Sequence, residues 1–308
     1  MFDLAVILIN YNSSEYTIPC IEKVFEKTNP ILSFQVIVVD NCSADEDYQK
    51  VLSYCKSGRH PNLSCFQTQI NCGFGRGNNF GFLQANAKYV AFLNNDTLLL
   101  NDCFNLLIAF LEKHPTVGVV GAQAFKEDHS FMVSLDHFAS PAREILGRNY
   151  LELFSPATHP KRKKHHKNPL AVNFVPGSFM LLRSADFEQA GQFDPAIFLY
   201  YEETDLCIRI LNLGKSTYLV PEAQFIHYHG ASTGKSMAIK KEIKISLMYI
   251  LRKHYGWRSM QLVRLFLLLK YGLSSMVKSK NRELFNLIWK GAPLSKSLQH
   301  LQKPKITV

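Results

Sequence analysis

Four short stretches of the chain carry side chains that could do chemistry. The run "YVAFLNNDTLLL" turns abruptly from apolar to polar at Asn94, Asn95 and Asp96. "FQVIVVD" ends on Asp40, "FLYYEETDLCIRI" sets Glu202, Glu203 and Asp205 within four residues, and "FIHYHGAS" offers His227 and His229 beside a glycine. A carboxylate can take a proton, accept a hydrogen bond from a ligand or hold a hard divalent cation, and a neutral imidazole can join it on the metal. Taken singly, the same residues also suit turns and helix ends. Asp and Asn bond to nearby backbone N–H groups, and acidic residues are favoured in the first turn of a helix.

The elements that must position these groups follow from periodicity. Short apolar runs, "LAVILI", "FQVIVVD", "LSCFQT", "YVAFL" and "VGVVGAQAF", alternate with helical patterns near 15–27, 44–57, 77–87 and 102–113. This rhythm predicts an α/β, Rossmann-like, mostly parallel sheet with helices on both faces. Ligands of such sheets sit beyond the carboxyl ends of the strands, where Asp40 and Asp96 fall. The turn after the first strand reads "NYNSSE", without glycine, and no GxxxxGK[ST] occurs. A nicotinamide or flavin enzyme and a P-loop ATPase are therefore excluded. The glycine cluster "NCGFGRGNNFG" comes only after the third strand.

The basic, proline-flanked stretch 155–168, within "FSPATHPKRKKHHKNP", reads as a mobile surface loop. It divides a nucleotide-binding half, 1–125, from an acceptor half, 170–235, in which Pro176 and Gly177 break the apolar run "LAVNFVPGSFMLLRS" with a tight turn. From 236 to 308 the pattern is helical and basic, and no internal repeat is evident.

The net charge of +10 is unevenly placed. Residues 1–150 hold 11 Lys+Arg against 15 Asp+Glu, 151–235 hold 9 against 8, and 236–308 hold 15 against 2. A polyanionic partner is expected for the last region only. Seven cysteines without a CxxC pair argue for reduced thiols and against zinc. The stretch "LVRLFLLLKYGL" is interrupted by Arg264 and Lys270 and is too short to span a membrane. The opening "MFDLAVILINYN" reads as a core strand and not as a signal peptide. A cytoplasmic protein is expected.

The ordered set "NYN", "DNCSAD", "NCGFGRGNNFG", "LNND", "PGSFMLLRS", "FDPAIFLYYEETDLCIRI" and "HYHGAS" resembles the family 2 glycosyltransferases of GT-A fold, especially their bacterial rhamnosyltransferase-like branch. The resemblance covers roughly residues 3–255. It implies an inverting transferase acting on a dTDP- or UDP-sugar, most readily L-rhamnose from dTDP-rhamnose, with Mg²⁺ or Mn²⁺ as cofactor. The donor nucleotide would lie along Asn10 and Asn12, Asp40, the glycine stretch with Asn71, Gly73, Arg76, Gly77 and Asn78, and Asn95.

Asp40 would accept from the imide N–H of uracil or thymine. The glycine stretch would be a loop that lets backbone approach the nucleotide, with Arg76 near the diphosphate or ribose. Asp96 stands at the last position of the family's Asp-x-Asp motif and would hold the metal, while the first position is Asn94 here. His227 matches the family's metal-contacting histidine by its His-x-x-Gly-x-Ser spacing, with His229 as fallback. Glu203 stands where the family carries an aspartate and would be the base, with Glu202 and Asp205 orienting acceptor or backbone.

These departures at Asn94 and Glu203 also admit a non-catalytic sugar-nucleotide-binding or scaffold subunit of a polysaccharide assembly complex. The acceptor implied is a lipid-linked or polysaccharide glycan. The basic tail, with apolar residues at helical spacing, suits an anionic membrane surface on the inner face of the cell membrane. A packed appendage or a homodimer contact is the competing use. Nucleic acid is disfavoured, because no recognised reading motif accompanies the charge.

Overall fold

A computed structural model describes residues 1–228, 236–277 and 281–305. In chain order the elements are β1 (Phe2–Asn10), α1 (Ser14–Lys27), β2 (Phe34–Asp40), α2 (Asp45–Cys55), β3 (Leu63–Gln67), α3 (Gly73–Leu83), β4 (Ala87–Asn94) and β5 (Thr97–Leu99). They continue with α4 (Cys103–Lys113), β6 (Val117–Phe125), α5 (Pro141–Leu146), α6 (Arg148–Phe154), β7 (Leu170–Val172) and β8 (Phe179–Arg183). The last are α7 (Ser184–Gln189), α8 (Glu202–Asn212), β9 (Ser216–His227), α9 (Met237–Val277) and α10 (Asn281–Trp289).

The strands form one sheet in the order β3-β2-β1-β4-β8-β6-β9-β5, with β7 also pairing β9. The first four are parallel, whereas β8 runs antiparallel between β4 and β6. The order reverses at β1, whose neighbours β2 and β4 lead off in opposite directions, and the ends at Asn10 and Asn94 therefore mark the switch point at which sheets of this kind bind ligands. Alternation along the strands divides the core. Leu4, Val6 and Leu8 of β1 pack in one buried cluster with Val38 and Phe104, and Ile7 packs in the other with Val39, Phe187 and Leu206. Both faces of the sheet are thus covered, which explains the near-continuous apolar reading of β1, β2 and β4.

The C-terminal helices are not a loose appendage. Ile245, Leu247, Ile250 and Leu251 from the first half of α9 are buried with Ala139 and Ile197, and the second half adds Met260, Val263 and Leu267. Between the halves α9 bends at Gly256, whose φ of +80° a side-chain-bearing residue would adopt only at a cost. The chain then returns to the first half of the sheet, where the Lys305 N–H donates to the Gln69 carbonyl at 2.9 Å and Nζ donates to the Ser43 carbonyl at 3.0 Å. No helix among the described residues is long and apolar enough to cross a membrane.

Candidate active site

The carboxyl ends of β1, β2 and β4 meet in a buried polar network. Asn10 Nδ2 donates to Asp40 Oδ2 (2.8 Å) and Asp47 Oδ2 (2.8 Å), and Asn10 Oδ1 accepts from the Thr17 hydroxyl (2.7 Å). Asn95 donates to the hydroxyls of Ser13 and Thr17, each at 2.7 Å. Asn10 and Asn95 therefore spend their amides fixing the turn into α1. Asp40 accepts three hydrogen bonds, from Asn10, from the Ser43 N–H (3.0 Å) and from Gln67 (3.1 Å). With these partners Asp40 is fully buried, so none of the about four lone-pair positions of its carboxylate faces solvent. Exposed Asn12 sits at the rim with φ +50°, its Oδ1 accepting from the Ala44 N–H at 2.8 Å.

The glycine stretch is a helix and not the loop expected from the sequence. Asn41 and Asn71 make that possible: their Oδ1 atoms accept from the N–H groups of Cys72 (2.8 Å) and Gly73 (2.9 Å) at the start of α3. Glycine lets α3 lie against the sheet, since a Cβ at Gly81 would stand 2.6 Å from Ile7 and one at Gly77 3.1 Å from Ile9. Gly73, at φ +80°, lies against Phe198, where a Cβ would meet the carbonyl at 2.1 Å. Asn78 is buried and donates back to the Phe74 carbonyl (3.0 Å), and Arg76 Nε donates to the Pro195 carbonyl (2.8 Å). Asn41, the hub of this segment, carries no sequence signal beyond its place after Asp40.

Asp96 and His227 are brought together by strand pairing across 131 positions. Thr97 of β5 stands opposite His227 of β9, and the Tyr228 N–H donates to the Asp96 carbonyl at 3.0 Å. Asp96 Oδ1 is sealed from solvent, accepts no hydrogen bond among the described residues, and lies 3.2 Å from His227 Nε2. Asn94 Nδ2 is 3.4 Å from the same nitrogen. A buried carboxylate oxygen 3.2 Å from an imidazole nitrogen suits a cation. Adjacent ligands of a six-coordinate ion with bonds of about 2.1 Å stand about 3 Å apart, close to the spacing present. No third His, Cys, Asp or Glu joins them among the described residues. His229 lies outside those residues.

Glu203 faces a cavity of about 290 Å³ lined also by Asp136, Arg143, Arg148, Phe174 and Tyr200. It lies in the first turn of α8, which starts at Glu202 after two consecutive left-handed residues, Tyr200 (φ +70°) and Tyr201 (φ +74°). Such backbone strain persists where the surroundings enforce it, and it aims the first turn of α8 at the cavity. Burial pushes the Glu203 carboxyl up, and the negative charge of Asp136 adds to this, while Arg143 and the Gly177 N–H pull the other way. Asp136 itself takes a bidentate pair of hydrogen bonds from Arg148, at 2.7 and 2.8 Å. Asp136, Arg143 and Arg148 belong to none of the motifs that stand out in the sequence. Ser140 before Pro141, a helix-start signal, could have placed Arg143 in a first turn.

The neighbouring acids are turned elsewhere. Glu202 is buried with its Cγ beside α3, 3.4 Å from where a Cβ at Gly75 would lie, and burial raises its carboxyl well above the usual range. Asp205 has no exposed surface and binds Lys253 (2.6 Å), His254 (2.7 Å) and Arg209 (2.7 Å), which ties α8 to α9. The loop 155–168 contains no helix or strand, but Arg162 leaves it to reach Glu152 at 2.8 Å.

Residues 5–189, more than half of the chain, match the model of glycosyl transferase family 2. The chain belongs to that family. It is similar to rhamnosyltransferase WbbL of Escherichia coli K12, with 25% identity over 80% of this chain and 92% of the relative. It is also similar to N-acetylglucosaminyl-diphospho-decaprenol L-rhamnosyltransferase of Mycobacterium tuberculosis, with 26% identity over 72% of this chain and 76% of that one. Among solved structures, mannosyltransferase PcManGT from Pyrobaculum calidifontis, in complex with GDP-Man and Mn²⁺, superimposes with a TM-score of 0.59 at 13% identity, over 98% of this chain and 89% of that chain. The family 2 chain thus has the GT-A fold expected from its sequence and is a nucleotide-sugar glycosyltransferase.

Proposed function

We propose that this glycosyltransferase moves L-rhamnose from dTDP-L-rhamnose, with inversion, to a hydroxyl of a lipid-linked or polysaccharide acceptor at the inner face of the cell membrane. The observation that carries the reading is the Asp96–His227 pair at the sheet edge beside a cavity holding one well-placed carboxylate, Glu203. Met132 lines a second cavity with His227, and the next residue, Val133, lines the Glu203 cavity. The two functional ends share one wall.

Buried Asp40 would take the imide N–H of the base as a fourth hydrogen-bond donor when the nucleotide enters, and Asn10, Asn41, Asn71 and Asn95 hold the surrounding turns. Asp96 and His227 would hold Mg²⁺ or Mn²⁺. When bound, the ion supplies positive charge against the diphosphate of the leaving group. Glu203 accepts the proton of the acceptor hydroxyl as that oxygen bonds to the anomeric carbon. The bond from that carbon to the diphosphate oxygen breaks, and the nucleoside diphosphate leaves with the electron pair. Arg143 and the Gly177 N–H steady the ionised form of Glu203, and Asp136 keeps its basicity high.

A thermal-shift screen of nucleotide sugars with Mg²⁺ or Mn²⁺ tests the donor. A donor at a hundred times its dissociation constant stabilises the fold by about 2.7 kcal/mol. Stabilisation by dTDP-L-rhamnose above dTDP-glucose and UDP sugars is expected, and a preference for another sugar nucleotide would reject the rhamnose assignment.

A further inference from the structure

The second half of α9 is apolar on two opposite faces. Met260, Val263 and Leu267 fill the core, whereas Leu262, Leu265, Leu269 (62% exposed) and Leu273 (71% exposed) line the outer face at helical spacing. Arg258 and Lys270 flank that outer row. A helix apolar on both faces expects a partner on each. A second apolar row stands on α6, where Tyr150, Leu153 (68% exposed) and Phe154 (65% exposed) share one face. The chain continues from it into exposed Lys161, Lys163, Lys164 and Lys167. The same short helices supply the cavity, since α5 contributes Arg143 and α6 begins with Arg148. Ile145 of α5 packs against the cluster that contains Met260, Val263 and Leu267.

We propose that these two apolar rows, each flanked by lysine or arginine, are the surface that seats the protein on an anionic bilayer, with the mouth of the Glu203 cavity at the lipid surface. Charge complementarity selects this occupant. Two copies of the chain meeting through the α9 row would oppose like-charged borders, whereas an anionic headgroup layer neutralises both borders and the acyl region takes the leucines. The placement deepens the lipid-linked reading of the acceptor, on which its functional meaning rests. An acceptor sugar carried on a lipid reaches Glu203 without its tail leaving the bilayer.

Flotation of the full chain with vesicles of phosphatidylcholine and phosphatidylglycerol, against vesicles of phosphatidylcholine alone, tests the surface without any sugar substrate. Wild type should float with the anionic vesicles, less so as salt rises, and bind the neutral ones weakly. Leu153→Gln with Phe154→Gln, and separately Leu262→Gln, Leu265→Gln, Leu269→Gln and Leu273→Gln together, should each lower the bound fraction by about tenfold or more. Both variants should keep wild-type melting temperatures, because the replaced side chains are exposed. Wild type that stays with the unbound fraction, or variants that float as well as wild type, would overturn the proposal. So would a wild-type dimer in light scattering that the α9 variant dissociates. Vesicle binding without rhamnosyl transfer would reject only the assigned reaction.

Discussion

Replacing Asp205 by Asn removes one negative charge from a site packed with Arg209, Lys253 and His254, and of these only Lys253 keeps a second carboxylate partner, Asp194. Burial alone would raise the Asp205 carboxyl, but the His254 hydrogen bond, the Arg209 charge and Lys253 outweigh it and hold the pKa down, at about 2 against the ordinary 3.8. At 1.36 kcal/mol per unit, that depression corresponds to about 2 to 3 kcal/mol of folding stability. Because the folded value is the lower one, the contribution is complete above the unfolded value and is lost as pH falls through the folded one. Stranding buried cations brings the cost of Asp205→Asn at neutral pH to about 3 to 5 kcal/mol. Urea unfolding followed by circular dichroism should show the full difference at pH 7 and almost none near pH 2. Turnover of the folded variant should fall by less than about tenfold, since α8 is held less firmly but Glu203 is untouched. An unchanged urea midpoint together with a collapse in turnover would refute this reasoning and give Asp205 a chemical role.

Four further outcomes follow from the geometry. Gly73→Ala should destabilise the fold by several kcal/mol, or prevent folding, since the residue sits at φ +80° with the Phe198 carbonyl 2.1 Å from the new Cβ; a melting temperature within error of wild type would contradict it. Asp96→Ala should lower Mn²⁺ affinity in calorimetry by about tenfold or more and abolish metal-dependent turnover, with a small change in melting temperature, since what is lost at Oδ1 is the 3.2 Å contact to His227. The acid limb of the pH–rate profile should lie above the ordinary carboxylate value, since the Glu203 pKa is raised and the base works only when ionised. Asp136→Asn removes a charge that raises Glu203 and should therefore move that limb to lower pH.

Local pattern carried much of the fold. β2 and β6 fall where their apolar runs predict, at Phe34–Asp40 and Val117–Phe125, and α1 and α4 begin and end within a residue or so of the expected spans. The helix expected near 77–87 runs from Gly73 to Leu83 because two asparagine side chains cap a glycine-rich turn that propensity alone disfavours. The family resemblance points to Asp96, His227 and Glu203, and the fold sets Asp96 beside His227 and opens Glu203 to a cavity. Direction was not legible: Asp205 and Glu203 lie in one helical turn, yet one binds Arg209, Lys253 and His254 in the interior and the other faces the cavity. Nothing in "EETD" tells which is which, because the deciding partners, Lys253 and His254, are almost fifty residues away. The charge excess after residue 236 was plain, but Lys253 is spent inside, on Asp194 and Asp205.

The central claim is that Glu203 takes the acceptor's proton, and single-turnover kinetics of Glu203→Gln measure it most directly. The amide keeps size and most hydrogen bonding but cannot accept that proton. The rate of sugar transfer should fall by about 10² to 10⁴ while donor affinity, read by titration with the nucleotide sugar and metal, stays within about twofold. A Glu203→Gln enzyme that transfers at the wild-type rate, or one whose loss resides wholly in donor binding, would contradict the account.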